Sequence, residues 1–170
     1  MAKTDTFFIR STKDLGNTNA YHEKEIDIGA FVDPLSKAVL RILSVTVAFT
    51  DNTGRSTELA GNESGAAQFQ LLTQSQTDIV LPSDKAVISS GRVLAFNDQA
   101  TQKLPSYVSH DFDIAPQSWE KGYLVGVDTL YLGGSASSSW AGDQYCSIIL
   151  ECQSETLTQS AAVALALSQQ

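Results

Sequence analysis

Two histidines, two cysteines and two tryptophans are the residues of this 170-residue chain best suited to chemistry, and their spacing limits what each can do. His110-Asp-Phe-Asp113 first suggests a metal or acid–base cluster. On a strand, however, His110 points away from Asp111 and Asp113, whose carboxylates then share one face at about 7 Å. Such a pair could hold a cation, calcium for example, but more often forms a solvated face. His110 falls in phase with Val108, Phe112 and Ile114, which favours a hydrogen-bonded core histidine over a ligand. Cys146 and Cys152 lie in Tyr145-Cys-Ser-Ile-Ile-Leu-Glu-Cys-Gln153, which reads as a strand. Six residues of rise put them about 20 Å apart on one face, too far for a disulfide. They share that face with Ile148 and Leu150, so two reduced core cysteines are expected. A zinc site would need shorter spacing and further Cys or His.

No Gly-x-Ser-x-Gly elbow, phosphate loop, dinucleotide fingerprint or His-Glu-x-x-His occurs. The expectation is therefore a protein that is not an enzyme, with no catalytic residue, no cofactor and no metal. Trp140 lies in the polar run Gly133-Gly-Ser-Ala-Ser-Ser-Ser-Trp-Ala-Gly142, and Trp119 follows Pro116. An exposed loop tryptophan would stack on a sugar ring or lock into a neighbouring subunit. The simpler reading has each covering an open end of the fold.

The elements that must position these residues are strands. Leu43, Val45, Val47 and Phe49 alternate with polar or small neighbours, as in a half-buried strand that begins near Val39. Similar patterns appear near 24–32, around Phe69 and Leu71, over Ala86–Phe96, Val108–Ile114, Val125–Tyr131 and Tyr145–Gln153, giving seven to nine strands. Ser89-Ser90-Gly91 marks a bulge or turn within its run. Asp51-Asn-Thr-Gly54 is a turn signal, residues 51–66 and 133–142 read as long polar loops, and all four prolines fall at strand ends or in loops. Single helical turns are possible at Asp33–Ala38 and Ser118–Lys121. Many short strands and little helix in one domain predict an all-β antiparallel sandwich of about eight strands, a jelly roll. An immunoglobulin-like sandwich is the second choice.

The sandwich is assigned to residues 1–155, and residues 156–170 form an apolar C-terminal arm or extra strand. Leu157, Ala161, Val163, Leu165 and Leu167 occupy odd positions with alanines between several of them. Alanine permits a helix and the alternation a strand, and the alternation favours the strand. Leu157, Val163, Leu165 and Leu167, with Trp140, are the candidate subunit-interface residues, since an apolar tail is costly to expose.

Charge narrows the partners. The net charge is −8, with twelve acids and ten bases before Leu104, and seven acids and one base, Lys121, from there on. The first thirteen residues carry only Lys3, Arg10 and Lys13 against Asp5, too little for an arm that condenses nucleic acid. Direct nucleic-acid binding is therefore not expected. Neither a signal peptide nor a membrane span is expected, because no apolar run is long enough.

With its alternating strands Glu25–Phe31 and Val39–Thr50, its closing strand Tyr145–Gln153 and its apolar tail, the chain resembles the small single jelly-roll capsid proteins of viruses. The resemblance implies a self-assembling shell subunit in the virion, built in the host cytoplasm, with copies of itself and possibly a second coat protein as partners. The absent basic arm departs from the RNA-virus members. It favours lineages in which a motor or an internal membrane manages the genome. The alternative is a carbohydrate-binding sandwich that uses Trp140 or Trp119, with calcium at Asp111 and Asp113.

Overall fold

The computed structural model describes residues 3–111 and 118–170. Among these residues, nine strands and one helix follow in order: β1 (Phe7–Asp14), β2 (His22–Asp27), β3 (Ala38–Thr50), β4 (Ser64–Leu72), β5 (Val87–Phe96), β6 (Tyr107–Asp111), β7 (Ser118–Val125), β8 (Thr129–Ala136), β9 (Tyr145–Thr156) and α1 (Gln159–Ser168). One sheet runs β1-β9-β3-β7 and the other β2-β8-β4-β5-β6, and every pairing is antiparallel.

The pairings have a simple internal logic. β4 with β5, β3 with β7, β2 with β8 and β1 with β9 are successive rungs of one long folded-back ribbon. The ribbon is then rolled, so that β3 lies beside β9 and β4 beside β8. Rolling a ribbon this way splits it into two facing sheets, which is the jelly roll expected from the sequence. β6 is an additional strand at the edge of the second sheet.

Alternation explains which residues line the interior. On β9, Cys146, Ile148, Leu150 and Cys152 are buried while their neighbours are partly exposed. Both thiols are free, as expected. Burial pushes both upward, Cys152 to about 12, so neither is a thiolate at neutral pH. From the facing sheet, Phe69, Leu71, Leu130 and Leu132 meet them. On β3 the phase of the pattern changes. Leu40 and Ile42 are buried, then Val45, and the register against β9 shifts between Ile42 and Ser44. A bulge there turns Leu43 out of the core, although simple alternation groups it with Val45.

Several local expectations are corrected. Ser118–Lys121 belongs to a strand, and Asp33–Ala38 is a turn closed by reciprocal backbone hydrogen bonds, so neither is a helical turn. Val125–Tyr131 is not one strand, because a turn at Gly126–Asp128 separates β7 from β8. Residues 133–136 pair in β8, so the long loop begins after them. β1 carries no helix or strand expectation, yet Phe7 and Ile9 on it pack against the core. The turn at Asp51 does form: its carboxylate accepts the Thr53 and Arg55 amides at 2.8 and 3.0 Å, and Gly54 takes φ of 85°. The irregularity near Ser89 is present as well, as a register shift where Leu71 faces Ser89 and Leu72 faces Val87. Asp113 and Phe112 lie outside the described residues, as do the side chains of His110 and Asp111, and the cation reading falls on them.

Away from the core cysteines, one ion pair ties three strands together. The Glu155 side chain is 0% exposed, and its Oε2 accepts Arg41 Nε at 2.6 Å, while the Arg41 guanidinium also donates to the Lys121 carbonyl. Lys3 Nζ stands 4.0 Å from the same oxygen, bringing the first described residue to the end of β9. The hydrogen bond from Arg41 holds the Glu155 carboxyl below its ordinary value despite burial. A carboxyl lowered in this way stabilises the fold above the ordinary glutamate pKa of about 4.3, and the contribution is lost as pH falls through the folded value. Arg41→Met should cost about 3 kcal/mol at pH 7, because it leaves a buried carboxylate without its cation. The loss on acidification should also flatten, because the unpaired carboxyl then favours its neutral form. Chemical denaturation of both proteins between pH 7 and pH 3 measures this, and parallel pH curves would refute it.

Candidate subunit interface

The two ends of the roll are closed by different devices, and these decide the fate of the five sequence-derived interface residues. At one end lie the loops after β1, β3, β5 or β6, and β8. Trp140 sits here and is 4% exposed. Its indole Nε1 donates to the Ala66 carbonyl at 3.1 Å, and its backbone bridges to Leu59. Gly65 passes so close beneath the ring that a Cβ there would lie 2.9 Å from both the indole and Leu59. Thr57 donates to Gln144 nearby, a second buried link between the two loops. Trp140 is thus a plug in the core. It offers no platform to a sugar or a neighbour, which corrects its assignment to an interface. Trp119 is half-buried on β7 and leans on Tyr123, ring centres 5.7 Å apart.

At the opposite end, the C-terminal segment folds over its own sandwich as a helix, where the odd-position pattern favours a strand. Thr158 caps it: the hydroxyl accepts the Ala161 amide at 3.3 Å. The capping threonine and six alanines and leucines over residues 161–167 outweigh an alternation that alanine makes ambiguous. The helix is held at both ends. Leu157 N donates to the Lys37 carbonyl, and Gln159 Nε2 to that of Pro34. Gln169 is buried, accepts the Gly126 amide at 2.7 Å through Oε1 and donates to the Leu124 carbonyl at 2.8 Å through Nε2. Gly126 must be small, because a Cβ would fall 2.8 Å from Leu165 Cγ and 3.0 Å from the Ala166 amide.

Within the helix, Ala162 and Ala166 face the sandwich and Leu165 is partly covered, as is Leu157 just before it. Val163 and Leu167 face out, at 40% and 68% exposure. They are four residues apart, so they form one ridge. Of the five candidates, these two alone remain fully available to a partner. No residue of α1 is charged.

A second apolar surface was missed by the sequence reading. β5 carries apolar residues in both phases: Val93 and Ala95 point inward, while Leu94 and Phe96 point out. A strand with one wetted face should be polar at those outward positions, and that break in alternation was the available signal. Leu94 pairs with Ala66 on β4, and Phe96 with Tyr107 on β6. The small Ala66 between larger neighbours leaves an open groove of about 390 Å³, bordered by Ser64, Ser137 and Tyr107. Tyr107 is 66% exposed.

Among the described residues, no three of His, Cys, Asp and Glu are placed to hold a metal ion. Glu23 accepts Tyr21 Oη at 2.8 Å, Ser75 Oγ at 2.5 Å and the Gln76 amide at 2.9 Å, which pins the β4–β5 loop to β2. No described helix is long and apolar enough to cross a membrane.

The strand order and the two closed ends define a jelly-roll sandwich. No family model and no curated protein matches the chain. Among solved structures, those it is similar to include viral jelly-roll capsid proteins. VP1 of Trichodysplasia spinulosa-associated polyomavirus is 8% identical with a TM-score of 0.41, over 88% of this chain and 94% of that one. Chimpanzee polyomavirus VP1 is 5% identical with a TM-score of 0.43, over 90% and 96%. A chain of Sulfolobus Turreted Icosahedral Virus is 13% identical with a TM-score of 0.39, over 93% of this chain and 32% of that one.

Burial separates the two kinds of candidate experimentally. Trp140→Ala should destabilise the fold by about 3–5 kcal/mol, whereas Leu167→Ala should change it by about 0.5 kcal/mol or less. Urea denaturation of both variants measures this. A mild Trp140→Ala would show that the indole is not the plug. Gly126→Val should release α1 from the β7–β8 turn, which hydrogen exchange of the Ala162–Ala166 amides would report as lost protection. Unchanged protection would refute the close contact.

Proposed function

We propose that the chain is a structural, self-assembling protein, a virus shell subunit of the jelly-roll type. The observation that carries the reading is the placement of its exposed large apolar residues. A sandwich that closes both of its ends, with Trp140 and with α1, still leaves Leu94, Phe96 and Tyr107 outward at one place and Val163 and Leu167 at another. Contiguous apolar surface of this kind marks contact with other macromolecules. The work of such a subunit is geometric: it buries those surfaces against copies of itself, and a second coat protein is a further partner the reading allows. Its location is then the virion, assembled within the host cell. The acidic balance and the single base after Lys103 support a shell that leaves the genome to other components. The carbohydrate-binding alternative loses one of its two rings, since Trp140 is buried, and keeps only the half-buried Trp119.

Association is the direct readout. Multi-angle light scattering and negative-stain microscopy across a rising concentration series should show discrete species far above the 18.2 kDa of one chain. A monomer at every concentration would overturn the reading.

A further inference from the structure

Val163 and Leu167 on α1, and the groove at Ala66, Leu94, Phe96 and Tyr107, differ in shape and share their chemistry. The first is a convex ridge on a helix without a single charge. The second is a concave strip on the outer face of a sheet. A helix with apolar residues on its outward side as well as its inward side is ordinarily covered all round. The groove in turn is wide enough for side chains because Ala66 fills so little of it. Neither surface would have to strip water from a charge to meet the other.

Their positions exclude an encounter within one chain. α1 lies over the end where β4 finishes: Gln74, two residues beyond Leu72, donates to the Gln169 carbonyl at 3.2 Å. The groove lies where β4 begins, around Ser64 and Ala66. Ala66 to Leu72 is about 20 Å along the strand, and α1 is anchored at Pro34, Lys37, Leu124 and Gly126 on the far side of that span. Only another copy can bring a helix ridge to the groove.

We propose that the Val163–Leu167 ridge of one subunit seats in the Ala66–Leu94–Phe96–Tyr107 groove of the next. The inference rests on the self-assembly reading above and specifies its contact. The arrangement is a helix laid on an apolar groove, in which residues four apart serve as anchors. The contact is heterologous, because the surface given and the surface received are different. Each pair therefore keeps one free ridge and one free groove, and copies add head to tail until a ring closes. A ten-residue helix is about 15 Å long, so one such contact covers less than the roughly 1,000 Å² of a stable interface. Association through it is weak for a pair and strengthens when the ring closes. Ser160 and Ser168, beside the ridge, and Ser64 and Ser137, beside the groove, supply polar rims.

Two single variants and their mixture test this. Leu167→Asp spoils the ridge and leaves the groove intact, while Leu94→Asp does the reverse. Both positions are exposed, and far-UV circular dichroism with a thermal melt checks that each variant folds. If Leu94→Asp unfolds, Leu94→Thr takes its place. Where the parent chain associates, each variant alone should lose that association in sedimentation velocity. An equimolar mixture should recover a one-to-one pair and nothing larger, seen by native mass spectrometry, because only one intact ridge and one intact groove remain to meet. Association of either folded variant at the parent's level would overturn this contact and leave the shell reading standing. Loss in both variants without pairing in the mixture would overturn it too, since the surfaces would then meet something other than each other. A parent chain that is monomeric throughout would remove both the contact and the shell reading.

Discussion

The ladder between β3 and β9 is the constraint on which everything else depends. It joins residues 38–50 to residues 145–156, and it converts a folded-back ribbon into a closed roll. β9 thereby becomes an interior strand, with β1 on one side and β3 on the other. Its alternate residues Cys146, Ile148, Leu150 and Cys152 then form the floor of the core, opposite Phe69 and Leu71. Without that ladder the four-stranded sheet would have no centre, and Arg41 would not reach Glu155. Pairings between segments so distant in sequence must close long loops before they return any contact energy, so this topology belongs to the slow-folding class.

The two ends of the roll show how a sandwich hides its open rims. At one, a single large aromatic ring lies under two loops, and a glycine makes room for it. At the other, a short helix is drawn down by hydrogen bonds between the Gln169 side chain and the backbone of Leu124 and Gly126, and another glycine makes room. In both cases the missing Cβ is what lets two layers approach. This is why Gly65 and Gly126 are structural residues although neither adopts an unusual backbone conformation. The same economy of side chains at Ala66, on the outer face, opens the groove. Once the ends are closed, the apolar residues still left outside are those available to partners.

The strand content, the approximate strand count, the jelly-roll class and the two reduced core cysteines were legible in the chain, because period-two burial writes itself directly into residue order. Boundaries were harder. A bulge at Leu43 changes the phase of β3, and the turn at Gly126–Asp128 sits inside what looks like unbroken alternation, because Val127 is buried there for reasons of packing. The tail was ambiguous for a chemical reason: alanine is the best helix former and places no demand on either face of a strand. Val163 and Leu167 were found as apolar tail residues. Leu94, Phe96 and Tyr107 were not, because outward apolar residues look in sequence like part of the core.

The sequence by itself determined that this is a β-sandwich with a reduced, apolar interior and an acidic, weakly basic surface. Those properties depend on composition and on neighbours one or two residues apart. Only the tertiary structure decided which apolar residues are inside. Trp140 in a Gly/Ser-rich run becomes a plug because Gly65 and Leu59, some eighty residues earlier, lie beneath it. The tail becomes a cap because Leu124 and Gly126 offer their backbone groups to Gln169. Burial is a relation between distant segments, and residue order does not encode it until the ladders have brought those segments together.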